Sequence, residues 1–242
     1  MKKLNQLLRY HFISYFKTAR IIMPLVVWGV FLGSAYYVMP QDVVGSFSMS
    51  SVFLFIIMIW VAMSYMESIH PIEEQLFLLK VKNEQTYYWS KTLFVYFIGS
   101  LFVGLGFLFP LFVNLINGFK LFARPLVPFD YISLLILHML AAILGGTIGI
   151  CLQPRCVKDR KLALLLATII AVFSLVKASI VKGALWTKIV FVFIPPITDI
   201  ITPFSSKPFF NIVGIIFAIL YVGIYSLILL LINQYMLKKK TF

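Results

Sequence analysis

TLFVYFIGSLFVGLGFLFPLFVNLIN, residues 92–117, contains no charged side chain and is built almost wholly from Phe, Leu, Val, Ile and Gly. As a helix it reaches about 39 Å, more than the roughly 30 Å of bilayer hydrocarbon. Pro110 is expected to kink it, and Gly99, Gly104 and Gly106 thin its surface for close neighbours. Outward from this stretch the same composition recurs. Apolar runs at 21–39, 49–66, 131–153, 162–181 and 211–236 are each expected to cross, making 92–117 the third of six spans. The chain of 242 residues is 62% hydrophobic and 12% charged, with a mean hydropathy of +1.00. A water-soluble core needs far less apolar surface than this. The expected fold is an all-α integral membrane protein, one permeation-sized domain over 1–242 with no polar block long enough to fold separately.

Charge sets the expected orientation. Of 21 Lys and Arg residues, 15 fall in the N-terminal segment, the 67–91 loop, the 154–161 loop and the C-terminus; 6 fall in the alternate connections. That excess places both termini in the cytoplasm, with anionic membrane lipids as partners. The basic residues are scattered between spans, so no nucleic acid is expected as a partner. Cys151 and Cys156 sit at a cytoplasmic loop, where no disulfide is expected, and they lack neighbours for a metal site.

Residues 1–20 place Leu4, Leu7, Leu8, His11, Phe12, Tyr15, Phe16 and Ala19 at three-and-four spacing, with Arg9, Lys17 and Arg20 off that stripe. This predicts an interfacial amphipathic helix, against the plainer reading of a solvated tail. The run after it is read as a retained span rather than a cleaved signal peptide. Residues 182–210 hold a short apolar run, then Pro195, Pro196, Pro203 and Pro208. They are expected to form an external hairpin before the sixth span that dips into the outer leaflet or packs on the bundle.

The 67–91 loop is more than a connector. Pro71 suits a first helical position, and Glu73 and Glu74 suit the first turn, where the helix dipole favours acids. Leu76, Phe77, Leu78 and Leu79 follow as an apolar knob, with Lys80 and Lys82 at its end. Asn83 is placed to cap a second helix through Tyr87, Tyr88, Trp89 and Lys91. The expected product is a short cytoplasmic helix that exposes both acids and hydrophobics. It suits docking into a partner's groove, and equally suits lying on headgroups anchored by Tyr87, Tyr88 and Trp89.

The string Glu73-Glu74-Gln75-Leu76-Phe77-Leu78-Leu79, followed by Tyr88 and Lys91, resembles the loop after the second span of ABC-2 type transporter permeases. These are the membrane subunits of bacterial ABC exporters, and an acid, a leucine-rich stretch and a Lys entering the next span recur there. The plan of interfacial helix, six spans, proline-broken hairpin and basic C-terminus is similar over nearly the full length. The resemblance implies that 67–91 couples to a separate ATPase subunit, with Glu73, Glu74, Leu76, Phe77, Leu78 and Lys80 as the contact residues. It implies two permeases, identical or paralogous, worked by two ATPase subunits that hold ATP and Mg, with no cofactor on this chain. It further implies export of an amphipathic peptide or lipid-like substrate. The alternative is a non-transporting membrane anchor or assembly protein, which would need no ATPase.

Sequence motifs limit the remaining chemistry. There is no Gly-x-x-x-x-Gly-Lys phosphate loop, no His-Glu-x-x-His and no Gly-x-Ser-x-Gly. Leu78 stands four residues after Glu74, where a membrane CAAX-type protease carries Arg. The chain is therefore read as a non-enzyme, with no catalytic and no metal-binding residues. His138 is expected to be a packed, hydrogen-bonded group within its span rather than a ligand, and Lys177 either snorkels outward or faces a substrate path. Ala163, Ala167 and Ala171, with Gly145 and Gly149, are small residues at close-packing spacing. One of these faces serves a homodimer seam, for which the resemblance favours spans 1 and 5, while packing within one bundle fits Gly145 and Gly149 of the fourth span equally.

Overall fold

Polar side chains open two of the long helices, Asp42 before Val43 and Asn83 before Glu84. A computed structural model describes residues 2–81, 83–180, 193–204 and 207–239. Their helices are α1 (Lys2–Lys17), α2 (Ile22–Ala35), α3 (Val43–Ser68), α4 (Pro71–Val81), α5 (Glu84–Ile116), α6 (Pro128–Cys151), α7 (Arg160–Ile180) and α8 (Ile212–Lys239). Among the described residues there is no strand, only an isolated pairing of Gln41 with Phe122.

Several boundaries move from those expected. Asp42 caps α3 by accepting the Gly45 N–H at 2.6 Å, so the helix starts at Val43 rather than 49. The Asp42 cap adds Val43 to Ser48, a stretch of mixed hydropathy, ahead of the expected span. Asn83 caps α5 as expected, accepting the Thr86 N–H at 3.3 Å, and the helix expected through Tyr87 to Lys91 runs unbroken into the third span to Ile116. The first span shrinks instead. The run 21–39 yields a helix only over 22–35, because Tyr36 turns away to meet Ser50 at 3.1 Å and Gln41 pairs its backbone with Leu121 and Ala123. Pro110 sits inside α5 without ending it.

Five helices, α3 and α5 to α8, are long and apolar enough to cross a membrane, or six with the α1–α2 pair counted as one span. The protein is an all-α multi-pass membrane protein. That pair is bent by 77°, and the corner passes through Ala19 at φ 52°, so α1 lies across the bundle end rather than along it.

Side-chain contacts sort the loops to two ends of the bundle. At one end Leu7 of α1, Val81 of α4, Tyr87 and Tyr88 of α5 and Leu237 of α8 form a single cluster. At the other, Arg124 forks onto Asp130 at 2.6 and 2.8 Å and also donates to the Pro208 carbonyl at 2.9 Å. There Phe47, Phe122, Phe204 and Phe210 pack together. The first and last helices of the described chain therefore meet at the same end. α2 runs beside α3 from Arg20, which donates to the Ser64 carbonyl, up to Tyr36 beside Ser50. It covers about 21 Å.

The centre is α3 against α6. In the most apolar window of α6, 72% of residues are buried, against 22% for α7, so α6 is wrapped by protein while α7 faces outward. Gly145 and Gly149 make the α3–α6 approach possible. A Cβ at Gly145 would strike the Phe55 carbonyl oxygen, and one at Gly149 would lie 2.6 Å from the Ile59 carbonyl oxygen. Both glycines are consumed within this bundle rather than at a dimer seam. Gly149→Leu should lower the melting temperature in detergent sharply, because backbone has nowhere to yield. Gly29→Ala, which meets nothing within 4 Å, should leave it unchanged.

Candidate functional site

α4 is the element that positions the site. It starts at Pro71 as expected, with Glu73 and Glu74 in its first turn and Lys80 in its last. Its apolar residues divide between two faces. Phe77 and Leu78 turn inward onto Leu7, Val81, Tyr87, Tyr88 and Leu237. Ile72, Leu76 and Leu79 turn outward, 61%, 61% and 76% exposed, and no described residue covers them.

The expectation that both acids are exposed needs correction. Glu73 is exposed and accepts the Tyr10 hydroxyl at 2.7 Å, which hangs α4 on α1. Burial, with the Glu73 carboxylate adding to it, pushes the Tyr10 phenol up to about 12, so it remains a donor. Glu74 is only 7% exposed, because the fourth residue of this helix points into the bundle. There it meets Lys91, itself 3% exposed, at 2.9 Å, with Arg155 at 3.9 Å. Lys91 also donates to Gln153 Oε1 at 3.3 Å, and Gln153 Nε2 donates to Asn233 Oδ1 at 3.1 Å. Arg155 donates to the Tyr88 hydroxyl at 2.7 Å and to the Leu237 carbonyl at 3.1 Å. Four separate parts of the chain converge here: α4, the start of α5, the 152–159 turn and the end of α8.

Sequence reasoning found Glu74 and Lys91 but missed Arg155, Gln153, Asn233 and Tyr10. One signal was available. Asn233 interrupts the last apolar run near its basic end, and a polar residue at such depth needs a partner.

The other candidate residues lie elsewhere. Lys177 neither snorkels outward nor stands open to a path. It is 4% exposed, pairs with Asp199 at 2.6 Å and donates to the Ile194 carbonyl at 3.1 Å. Tyr225 donates to the Phe193 carbonyl at 2.7 Å, about 20 Å along α8 from its start. Residues 193–200 thus run back along α8, with Ile197 and Ile200 buried in the core. Of the hairpin expected over 182–210, residues 182–192 and 205–206 lie outside the described residues. His138 is fully buried; its Nδ1 is 3.1 Å from Ser51 Oγ and 2.9 Å from the Leu134 carbonyl, and its ring presses against Gly106. It is a packed side chain in the bundle centre. Ala163 and Ala167 are buried in the same core cluster as Ile59 and Val222, while Ala171 is half-buried. Among the described residues no three His, Cys, Asp or Glu side chains group as a metal site.

No protein-family model matches the chain, and no characterised protein matches it.

Two outcomes test the site's construction. Lys91→Met leaves a buried carboxylate facing Arg155 alone and should cost about 3–5 kcal/mol; adding Glu74→Leu should restore most of that, as read by melting curves. His11, on the buried face of α1 with Nε2 3.0 Å from Ser90 Oγ, has its imidazole pushed down to about 3, by burial first and the Lys91 cation second. A detached α1 takes up a proton below about 6.5 while the packed ring does not. Stability is therefore full above about pH 6.5 and falls toward pH 3, by about 2 kcal/mol at pH 5. His11→Gln should flatten that pH profile.

Proposed function

We propose that the chain is the permease subunit of an ATP-driven exporter of the ABC-2 type, worked by a separate ATPase that docks on α4. The observation that carries this reading is the two-faced character of α4. Its outer face offers Ile72, Leu76 and Leu79, exposed among the described residues and flanked by Glu73 and Lys80. Its inner face is tied through Glu74 to Lys91 and Arg155. A helix that is apolar outside and anchored inside by charge is suited to receive force from a partner's groove and pass it on. The receivers are the starts and ends of the long helices α5 and α8.

In this reading the run 21–39, of which α2 is the helical part, joins α3, α5, α6, α7 and α8 as the sixth crossing, which agrees with α1 and the end of α8 meeting at one face. The bias of 15 basic residues against 6 supports a cytoplasmic position for that face, and the exporter reading makes the cell a bacterial one. α1 lies in the cytoplasmic interface, α4 serves as the coupling helix, and the segment at 193–204 enters the outer leaflet. Two permease copies, or one with a paralogue, work with two ATPase subunits, and ATP and Mg are held on those subunits. The cargo is an amphipathic peptide or lipid-like molecule, in keeping with the Phe- and Leu-rich spans. A membrane anchor would use the same face of α4, and stimulation of ATP hydrolysis separates the two readings.

The test is co-purification. An ATPase bearing a phosphate loop should be recovered with the chain and hydrolyse ATP faster in its presence. Leu76→Ser with Leu79→Ser should reduce the recovered ATPase about tenfold while leaving the amount of inserted chain unchanged. Undiminished recovery from that variant would remove α4 as the docking element.

A further inference from the structure

A groove of about 630 Å³ runs along the outer side of the bundle where α3 and α7 diverge beside the start of α2. Its long limb is apolar, lined by Met23, Ile56, Trp60, Leu164, Ala171 and Leu175. Trp60 is 41% exposed and Leu164 50% exposed, on the lipid-facing side of helices that are themselves spans. At the end of the bundle shared by α1 and α8 the groove opens into a second hollow of about 290 Å³. The two hollows share Arg20, Met63, Glu67 and Arg160, and Lys158 lines the second. The mouth therefore carries three cations against one carboxylate. Arg160 spends part of its charge on Glu67 at 3.3 Å, while Arg20 makes one bond to the Ser64 carbonyl at 3.1 Å.

We propose that this groove is a binding site for an anionic phospholipid, one acyl chain lying along α3 and α7 and the phosphate held between Arg20, Lys158 and Arg160. The argument is complementarity at both ends. The limb offers a lipid tail continuous apolar contact, and the mouth leaves a surplus of two positive charges, one of which the single negative charge of a phosphate diester offsets. The mouth also stands at the bundle end where basic residues concentrate, which is where headgroups sit. A second apolar hollow, between Trp28 of α2 and Leu108 and Phe112 of α5, has no charged lining residue and so carries no preference among lipids. The proposal does not depend on the ATPase, but it requires that any second copy of the chain seat away from this groove.

The experiment uses the purified full chain in detergent, delipidated and then offered phosphatidylglycerol or phosphatidylcholine of the same acyl composition, with bound lipid counted by native mass spectrometry. One phosphatidylglycerol per chain should be retained at least about tenfold more than phosphatidylcholine. Arg20→Gln with Arg160→Gln, both at exposed positions, should bring the two lipids level. Thr168→Trp, which fills the limb without touching the mouth, should also abolish retention. Lys120→Gln at the far end should change nothing. Equal retention of both lipids by the natural chain overturns the proposal, as does undiminished phosphatidylglycerol on the double variant. Competition by glycerol phosphate alone would show a headgroup site with no role for the limb and would also overturn it. So would a Thr168→Cys variant that cross-links quantitatively to its own copy in lipid-replete membranes, because a second chain would then fill the groove.

Discussion

A charged amine cannot stay buried unless something answers it, and Lys91 is 3% exposed at the head of a long membrane helix. The answer comes from Glu74, on a different helix, at 2.9 Å. From that one requirement the arrangement of the basic end follows. α4 must lie with its first turn against α5. The 152–159 turn must approach so that Gln153 and Arg155 complete the shell. The end of α8 is then fixed by Asn233 and the Leu237 carbonyl. Removing a single partner leaves a charge stranded in a low-dielectric place, whereas removing both leaves mainly a packing problem. The network's value therefore lies in specifying which elements meet.

The same constraint operates at the opposite end in backbone form. Residues 193–200 are not helical, yet they run well along α8, where water is scarce. Irregular backbone survives at such depth only if its polar groups find partners in the protein. The Phe193 carbonyl takes the Tyr225 hydroxyl, and the Ile194 carbonyl takes the Lys177 ammonium, whose charge Asp199 balances. Pro195 and Pro196 have no N–H to satisfy, which lowers the demand further. Prolines that look like breakers in the sequence are what make this segment tolerable inside the bundle.

Between the two ends the bundle is graded. α3 and α6 approach through Gly145 and Gly149 until backbone meets backbone, while α7 stands off with a groove along its flank. A tightly keyed centre and a loosely packed edge suit a protein whose inner helices hold their register while outer ones meet lipid or a partner. The anchored inner face and uncovered outer face of α4 extend that logic into the aqueous phase.

What the sequence determined by itself was the environment. Burial in lipid demands long uncharged runs, and such runs cannot be disguised, so 92–117 and the runs at 49–66, 131–153, 162–181 and 211–236 announce themselves, while 21–39 yields only the shorter α2. Caps at Asn83 and the start at Pro71 were also legible, because those signals are local. The orientation of side chains across the bundle was not. Glu73 and Glu74 look alike as neighbours in a helix, yet a rotation of about 100° sends one to solvent and one to Lys91. Gly145 and Gly149 fit a seam between chains as well as one within a chain until α3 is seen against them. Lys177 could be assigned a role only once Asp199 was beside it. Periodicity fixes which residues share a face, but which neighbour that face meets depends on contacts between residues far apart in the chain. Only the folded bundle decides those.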